Sequence, residues 1–91
     1  MITAIVLITA DVHTIPETAQ AIADVDGVRE VYSCAGDVDL IATIAVRDHE
    51  QIADVVTGTI NRIEGVRHTA THIAFKTYSS ADIEDGFSIG E

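Results

Sequence analysis

The sequence predicts one α+β domain of order βαββαβ, built as a four-stranded antiparallel sheet with two helices on one face. Three observations predict it. Stretches rich in β-branched residues alternate with two stretches of helical periodicity, Gly-Val-Arg follows each helix, at 27–29 and again at 65–67, and a single Pro interrupts the 91 residues.

Residues 2–10, Ile-Thr-Ala-Ile-Val-Leu-Ile-Thr-Ala, are a nearly unbroken apolar run, the pattern of a strand covered on both faces. Thr14-Ile15-Pro16-Glu17 reads as a helix start: Thr14 caps, Pro16 fits the first turn and Glu17 completes a capping box. Ile15, Ala19, Ile22 and Ala23 share one helical face and Asp26-Gly27 is a stop signal, which gives a helix over 15–25. Val28–Ala35 and Val38–Val46 read as strands joined by a tight hairpin at Gly36-Asp37. Asp48 with Gln51 is a second cap, and Ile52, Val55, Val56, Ile60 and Ile63 recur at helical spacing before Gly65, predicting a helix over 49–63. Residues 66–78 form the last strand. The domain therefore spans 1–78, and residues 79–91 are a C-terminal tail with a single helical turn at 81–85, anchored by Phe87 or Ile89.

Two interlocked βαβ units with right-handed crossovers make the ferredoxin-like arrangement. Alternation along the strands then exposes a problem. Val6 and Ile8 oppose Ile5 and Leu7, while Leu40, Ile44 and Val46 oppose Ile41, Thr43 and Ala45, so neither sheet face is polar. Helices cover only one of them. The second face is expected to pack on the sheet of another subunit, a dimer of the dimeric α/β barrel type.

Composition excludes several classes of function. Fifteen acidic residues against five basic ones give a formal charge of −10, the reverse of what holding nucleic-acid phosphates requires. Such a surface favours solubility, including in a salt-adapted cell. The N-terminus carries neither a basic n-region nor a membrane-length apolar span, and one cysteine, Cys34, builds no disulfide framework, so the expected compartment is the cytoplasm. Cys34 itself is expected as a small core residue.

Candidate chemistry is sparse. His68 and His72 stand four residues apart on a strand, roughly 13 Å at about 3.3 Å per residue, too far for one zinc ion. His13 and His49 fall at exposed loop and helix-start positions. No G-x-S-x-G elbow, cysteine-nucleophile signature or phosphate-binding glycine motif occurs, so neither an enzyme nor a cofactor is expected. The most suggestive cluster is Cys34-Ala35-Gly36-Asp37-Val38-Asp39. Backbone N–H groups near Gly36 suit a carboxylate, and Asp37 or Asp39 suits an ammonium group, which together fit an amino acid. Thr69 and Thr71, alternating onto one face of the last strand, offer hydroxyls to complete a polar pocket.

These residues carry a resemblance. Val31-Tyr32 followed by Gly36-Asp37-Val38-Asp39-Leu40, then Gly65-Val66-Arg67 followed by Thr69-Ala70-Thr71, resemble the effector-binding domain of the Lrp/AsnC transcriptional regulators over about residues 2–78. That resemblance implies dimers joined through their sheets, octameric or decameric rings, and amino acids held between dimers by Gly36, Asp37, Val38, Asp39, Thr69 and Thr71, with Tyr32 and Leu40 as weaker contacts. Regulators of this family carry a helix-turn-helix before the sensor domain, whereas this sequence opens on the first sensor strand. It is expected to work as a stand-alone amino-acid sensor that modulates full-length relatives. Two alternatives compete: a cofactor-free small-molecule enzyme on the same fold, and an ACT-type regulatory domain, which expects a glycine turn where Asp11–Pro16 offers none.

With this charge, and no recognition helix in the sequence, the chain is expected to leave duplex DNA unshifted in a gel at physiological salt. A shift at micromolar protein with a steep salt dependence contradicts that reading.

Overall fold

Four strands form one antiparallel sheet in the order β2-β3-β1-β4, where β1 is Ile2–Ala10, β2 Val28–Ser33, β3 Leu40–Val46 and β4 Val66–Ile73. This is a computed structural model, and it describes residues 1–80. Helices α1 (Ile15–Ala23) and α2 (His49–Val56) complete the βαββαβ order. The tail turn expected at 81–85 and its Phe87 or Ile89 anchor lie outside the described residues.

The apolar alternation of β1 and β3 builds the core. Ala4, Val6, Ile8, Leu40, Ala42 and Ile44 are fully buried on the helix-covered face, where Ile22 of α1, Ile52, Val55 and Val56 of α2 and Ile60 pack on them. At about 1.5 to 3 kcal/mol for each large aliphatic side chain removed from water, this layer is the main stabilising term. On the other face Ile5, Leu7, Ile41 and Ala45 carry no cover, and Ile5 is 39% exposed.

The two Gly-Val-Arg turns are equivalent in detail. Gly27 and Gly65 take φ values of 96° and 98°, a conformation only glycine adopts without strain. The Gly27 carbonyl accepts the Ala45 N–H at 2.9 Å near the end of β3, and the Gly65 carbonyl accepts the Asp11 N–H at 2.8 Å just past β1. A bulge follows each glycine: Val28 and Glu30 oppose Ile44 and Thr43, and Val66 and His68 oppose Ala10 and Thr9, leaving Arg29 and Arg67 as the extra residues. Arg67 reaches Asp11 at 3.4 Å. The Asp11 carboxyl is held below its ordinary range, first by the His13 N–H that it accepts and also by the Arg67 guanidinium.

Several expected boundaries move, each for a local reason. α1 ends at Ala23, with Thr18 rather than Ala23 on its buried side. The expected capping box does not form there, because a 3-10 turn over Val12–Thr14, capped by Asp11, precedes α1 and the Thr14 hydroxyl lies 3.3 Å from that of Thr18. The second cap does form: Asp48 accepts the Gln51 N–H at 2.9 Å, and the Gln51 side chain reaches past the cap residue to accept the Arg47 N–H at 2.7 Å. α2 stops at Val56, seven residues before the expected 63, where Thr57-Gly58-Thr59 breaks the helix, and a 3-10 turn over Ile60–Arg62 still delivers Ile60 to the core. β4 stops at Ile73 instead of 78 because its partner runs out: Ile73 pairs with Ala4, the Ala74 N–H reaches the Thr3 carbonyl at 2.8 Å, and β1 begins at Ile2.

A Cβ on residue 65 collides with the Thr18 hydroxyl, whereas one on Gly36 meets nothing within 4 Å. Gly65→Ala is therefore expected to destabilise by about 2 to 5 kcal/mol, combining backbone strain with overpacking. Gly36→Ala should cost only the strain of its backbone, about 1 to 3 kcal/mol. Urea unfolding of the two variants checks the order.

Candidate functional site

The predicted two-residue hairpin is replaced by a six-residue connection, 34–39, between Ser33 and Leu40. Asp39 explains the change. Its N–H donates to the Ile8 carbonyl at 3.0 Å, its carbonyl accepts the Cys34 N–H at 2.9 Å, and its carboxylate accepts the Ala10 N–H at 2.8 Å. Ala10 sits where the β1–β4 register shifts, so the carboxylate takes a donor beside that bulge. Asp39 thus closes the end of the sheet, a structural gain that its spacing from Asp37 does not disclose. Gly36 and Asp37 stand exposed at the tip, Gly36 at φ 144°, and Val38 is half-buried beneath them. Cys34 is partly exposed in this connection, its thiol 3.6 Å from the Tyr32 carbonyl, and is not a core residue.

Pairing places the other candidates. Leu40 pairs with Ile8, and Ile8 with Thr69, so the hairpin end and Thr69 lie in one row across β3, β1 and β4. At about 4.8 Å per strand the two are roughly 10 Å apart. Thr69 and Thr71 are on the side of the sheet that carries the helices, yet Thr69 is only half-buried and Thr71 is exposed. The Thr69 hydroxyl lies 2.7 Å from the Asn61 side-chain oxygen, to which it donates. A surface cleft of about 320 Å³ is lined there by Asn61, Val66, Arg67, His68 and Thr69. Asn61 escapes the sequence reading because the expected helix runs straight through it.

The weaker candidates separate. Leu40 is fully buried in the core. Tyr32 is 49% exposed on the uncovered face, opposite to the threonines, and its hydroxyl donates to Glu30 at 2.7 Å. That hydrogen bond raises the phenol above its ordinary range. Within one chain the structure therefore brings together Gly36, Asp37, Val38 and Asp39, sets Thr69 and Thr71 across β1 from them, and turns Tyr32 away.

The family model described as the Lrp/AsnC ligand binding domain matches residues 3–83. The chain belongs to the Lrp/AsnC ligand-binding-domain family. An uncharacterised helix-turn-helix-type transcriptional regulator of Pyrococcus furiosus is 35% identical over 78 residues, which are 82% of this chain and 52% of that protein. LrpA of Pyrococcus horikoshii is 38% identical over 50 residues, 55% of this chain and 36% of that regulator. The chain thus spans about half the length, or less, of these regulators. Among solved structures, a Thermus thermophilus protein superposes with a TM-score of 0.82 at 43% identity, over 87% of this chain and 99% of that one. AsnC of E. coli superposes with a TM-score of 0.78 at 18% identity, over 84% of this chain and 52% of that one, a likeness of fold. This Lrp/AsnC domain has the ferredoxin-like fold, and the regulators it matches act in transcription. Among the described residues no helix is long and apolar enough to cross a membrane.

Removing the Asp39 carboxylate leaves the Ala10 N–H without its acceptor. Asp39→Ala is expected to lower stability by about 1 to 3 kcal/mol, the cost of an unsatisfied donor, while Asp39→Asn, which keeps an acceptor oxygen, loses less. Thermal melts of both variants check this, and equal melting of Asp39→Ala and the parent contradicts it.

Proposed function

We propose that this chain is an amino-acid-responsive assembly module of the Lrp/AsnC type. It pairs sheet to sheet with a second copy, its dimers associate into octameric or decameric rings, and an amino acid held where dimers meet shifts that assembly. Through mixed assembly it modulates full-length relatives that regulate transcription.

The observation that carries this reading is the exposed Gly36-Asp37 tip standing on a connection that Asp39 clamps to β1. The tip offers backbone donors and a carboxylate while the fold holds their anchor still, which is the preorganisation that binding a small zwitterion requires. Gly36 and Val38 supply N–H groups for the α-carboxylate, and Asp37, with the free oxygen of Asp39, takes the ammonium group. Thr69 and Thr71 lie about 10 Å away across β1, so they complete a site by coming from a neighbouring chain or by meeting the far end of the ligand. Two proteins of the same fold support the ligand class: a Neisseria meningitidis transcriptional regulator and the feast or famine regulatory protein of M. tuberculosis were each solved as L-methionine complexes.

Calorimetric titration of the twenty amino acids into the full chain tests the proposal. At least one is expected to bind, and Asp37→Asn and Thr71→Val are expected to weaken it by about 1 to 3 kcal/mol each, the scale of a charge-assisted or buried hydrogen bond. Both side chains are exposed, so melting temperatures should stay with the parent. Binding that neither substitution alters places the pocket elsewhere.

A further inference from the structure

The uncovered sheet face carries a pattern that one chain does not use. Strand register sets Glu30, Thr43, Ile5 and His72 in one row from the β2 edge to the β4 edge, and Tyr32, Ile41, Leu7 and Ala70 in the next. In each row the β2 residue and the β4 residue are complementary. Glu30 stands at the opposite edge from His72, an acid and a base. Tyr32 stands opposite Ala70, a large side chain and a small one. Between them lie the apolar pairs of β3 and β1.

Aligned face-to-face sheets keep their strands within about 30° of each other, and in that packing class two two-fold axes are open to a dimer. An axis across the strands lays β2 over β2 and β4 over β4, so Glu30 meets a β2 residue of the other copy, itself or Tyr32, and never His72. An axis parallel to the strands reverses the order β2-β3-β1-β4, laying β2 over β4 and β3 over β1. Only this second axis brings each row onto its complement. Ile41 then meets Leu7, Tyr32 covers Ala70, and Glu30 meets His72, each contact occurring twice.

Granted the sheet-to-sheet dimer proposed above, we infer that its two-fold axis runs parallel to the strands and that Glu30 of each copy is paired with His72 of the other. A receptacle for that imidazole is already present. A cleft of about 440 Å³ on this face is lined by Thr3, Arg29, Glu30 and Thr43. Within it the Thr43 hydroxyl is shielded from solvent and has no hydrogen-bond partner. The Tyr32 hydroxyl fixes one Glu30 oxygen at 2.7 Å and leaves the other to accept from a ring N–H. Among the described residues, the other titratable or charged groups beside this face are Arg29, at the bulge next to Glu30, and His68, two residues before Ala70 on β4.

Sedimentation equilibrium of the full chain with charge reversals tests the pairing. Glu30→Lys, which removes the acceptor of the ring N–H, and His72→Glu, which sets two carboxylates against each other, are each expected to weaken the dimer about ten-fold or more, and the double variant, which restores an opposite-charge pair, to recover most of the loss. On a Cys34→Ser background, Tyr32→Cys mixed with Ala70→Cys should cross-link between chains, and Tyr32→Cys with itself should not. A dimeric parent whose double variant is no better than the singles, or self-linking of Tyr32→Cys, overturns the axis while leaving the sheet dimer standing. A parent that is monomeric at every concentration overturns the sheet dimer itself, and the pairing with it.

Discussion

A four-stranded sheet whose central strands are apolar on one face and largely apolar on the other, with two short helices that cover only the first, is the constraint from which the rest of this structure follows. One face is satisfied: Val6, Ile8, Leu40 and Ile44 are fully buried beneath α1 and α2. The other presents Ile5, Leu7, Ile41 and Ala45 to its surroundings. Monomeric antiparallel sheets usually put polar residues on such a face. Among the described residues, most acidic side chains lie instead on helix surfaces and in the loops.

The same frame explains how the candidate site is held. Two Gly-Val-Arg corners, each with a positive-φ glycine, a carbonyl bond to a neighbouring strand and an arginine at a bulge, tie the edge strands to the central pair. Asp39 is a third tie, from the β2–β3 connection to the end of β1. Together they leave one short segment, Gly36-Asp37, projecting from a firmly closed end. A tip on a rigid base is the preorganised arrangement that the proposed ligand-binding role requires.

Much of this was legible in the residues. The β-branched runs, the helical spacing and the repeated glycine turns specify element order and the buried set, because periodicity reports which face is covered. Less legible were the ends of elements, where single contacts decide. Nothing in Asp37-Val38-Asp39 reveals that Asp39 bonds a backbone N–H 29 residues earlier, so a long-range clamp looks like a tight hairpin. Ile60 and Ile63 continue the helical period of α2, yet Thr57-Gly58-Thr59 breaks the helix and a 3-10 turn carries Ile60 into the core. Strand length at β4 depends on where β1 begins, which is a property of the pair rather than of the segment. Sequence reading of the site grouped residues by type. The fold sorts them by face, leaving Tyr32 on one side of the sheet and the threonines on the other.

The central claim is that the uncovered face is a buried face in the working protein, so that folding and association are one process. Thermal unfolding of the parent chain at concentrations spanning a hundred-fold range tests it most directly. Coupled folding and association predict a melting temperature that rises steadily with concentration, by mass action. A cooperative melt at one fixed temperature throughout, from a species of monomer mass, contradicts it.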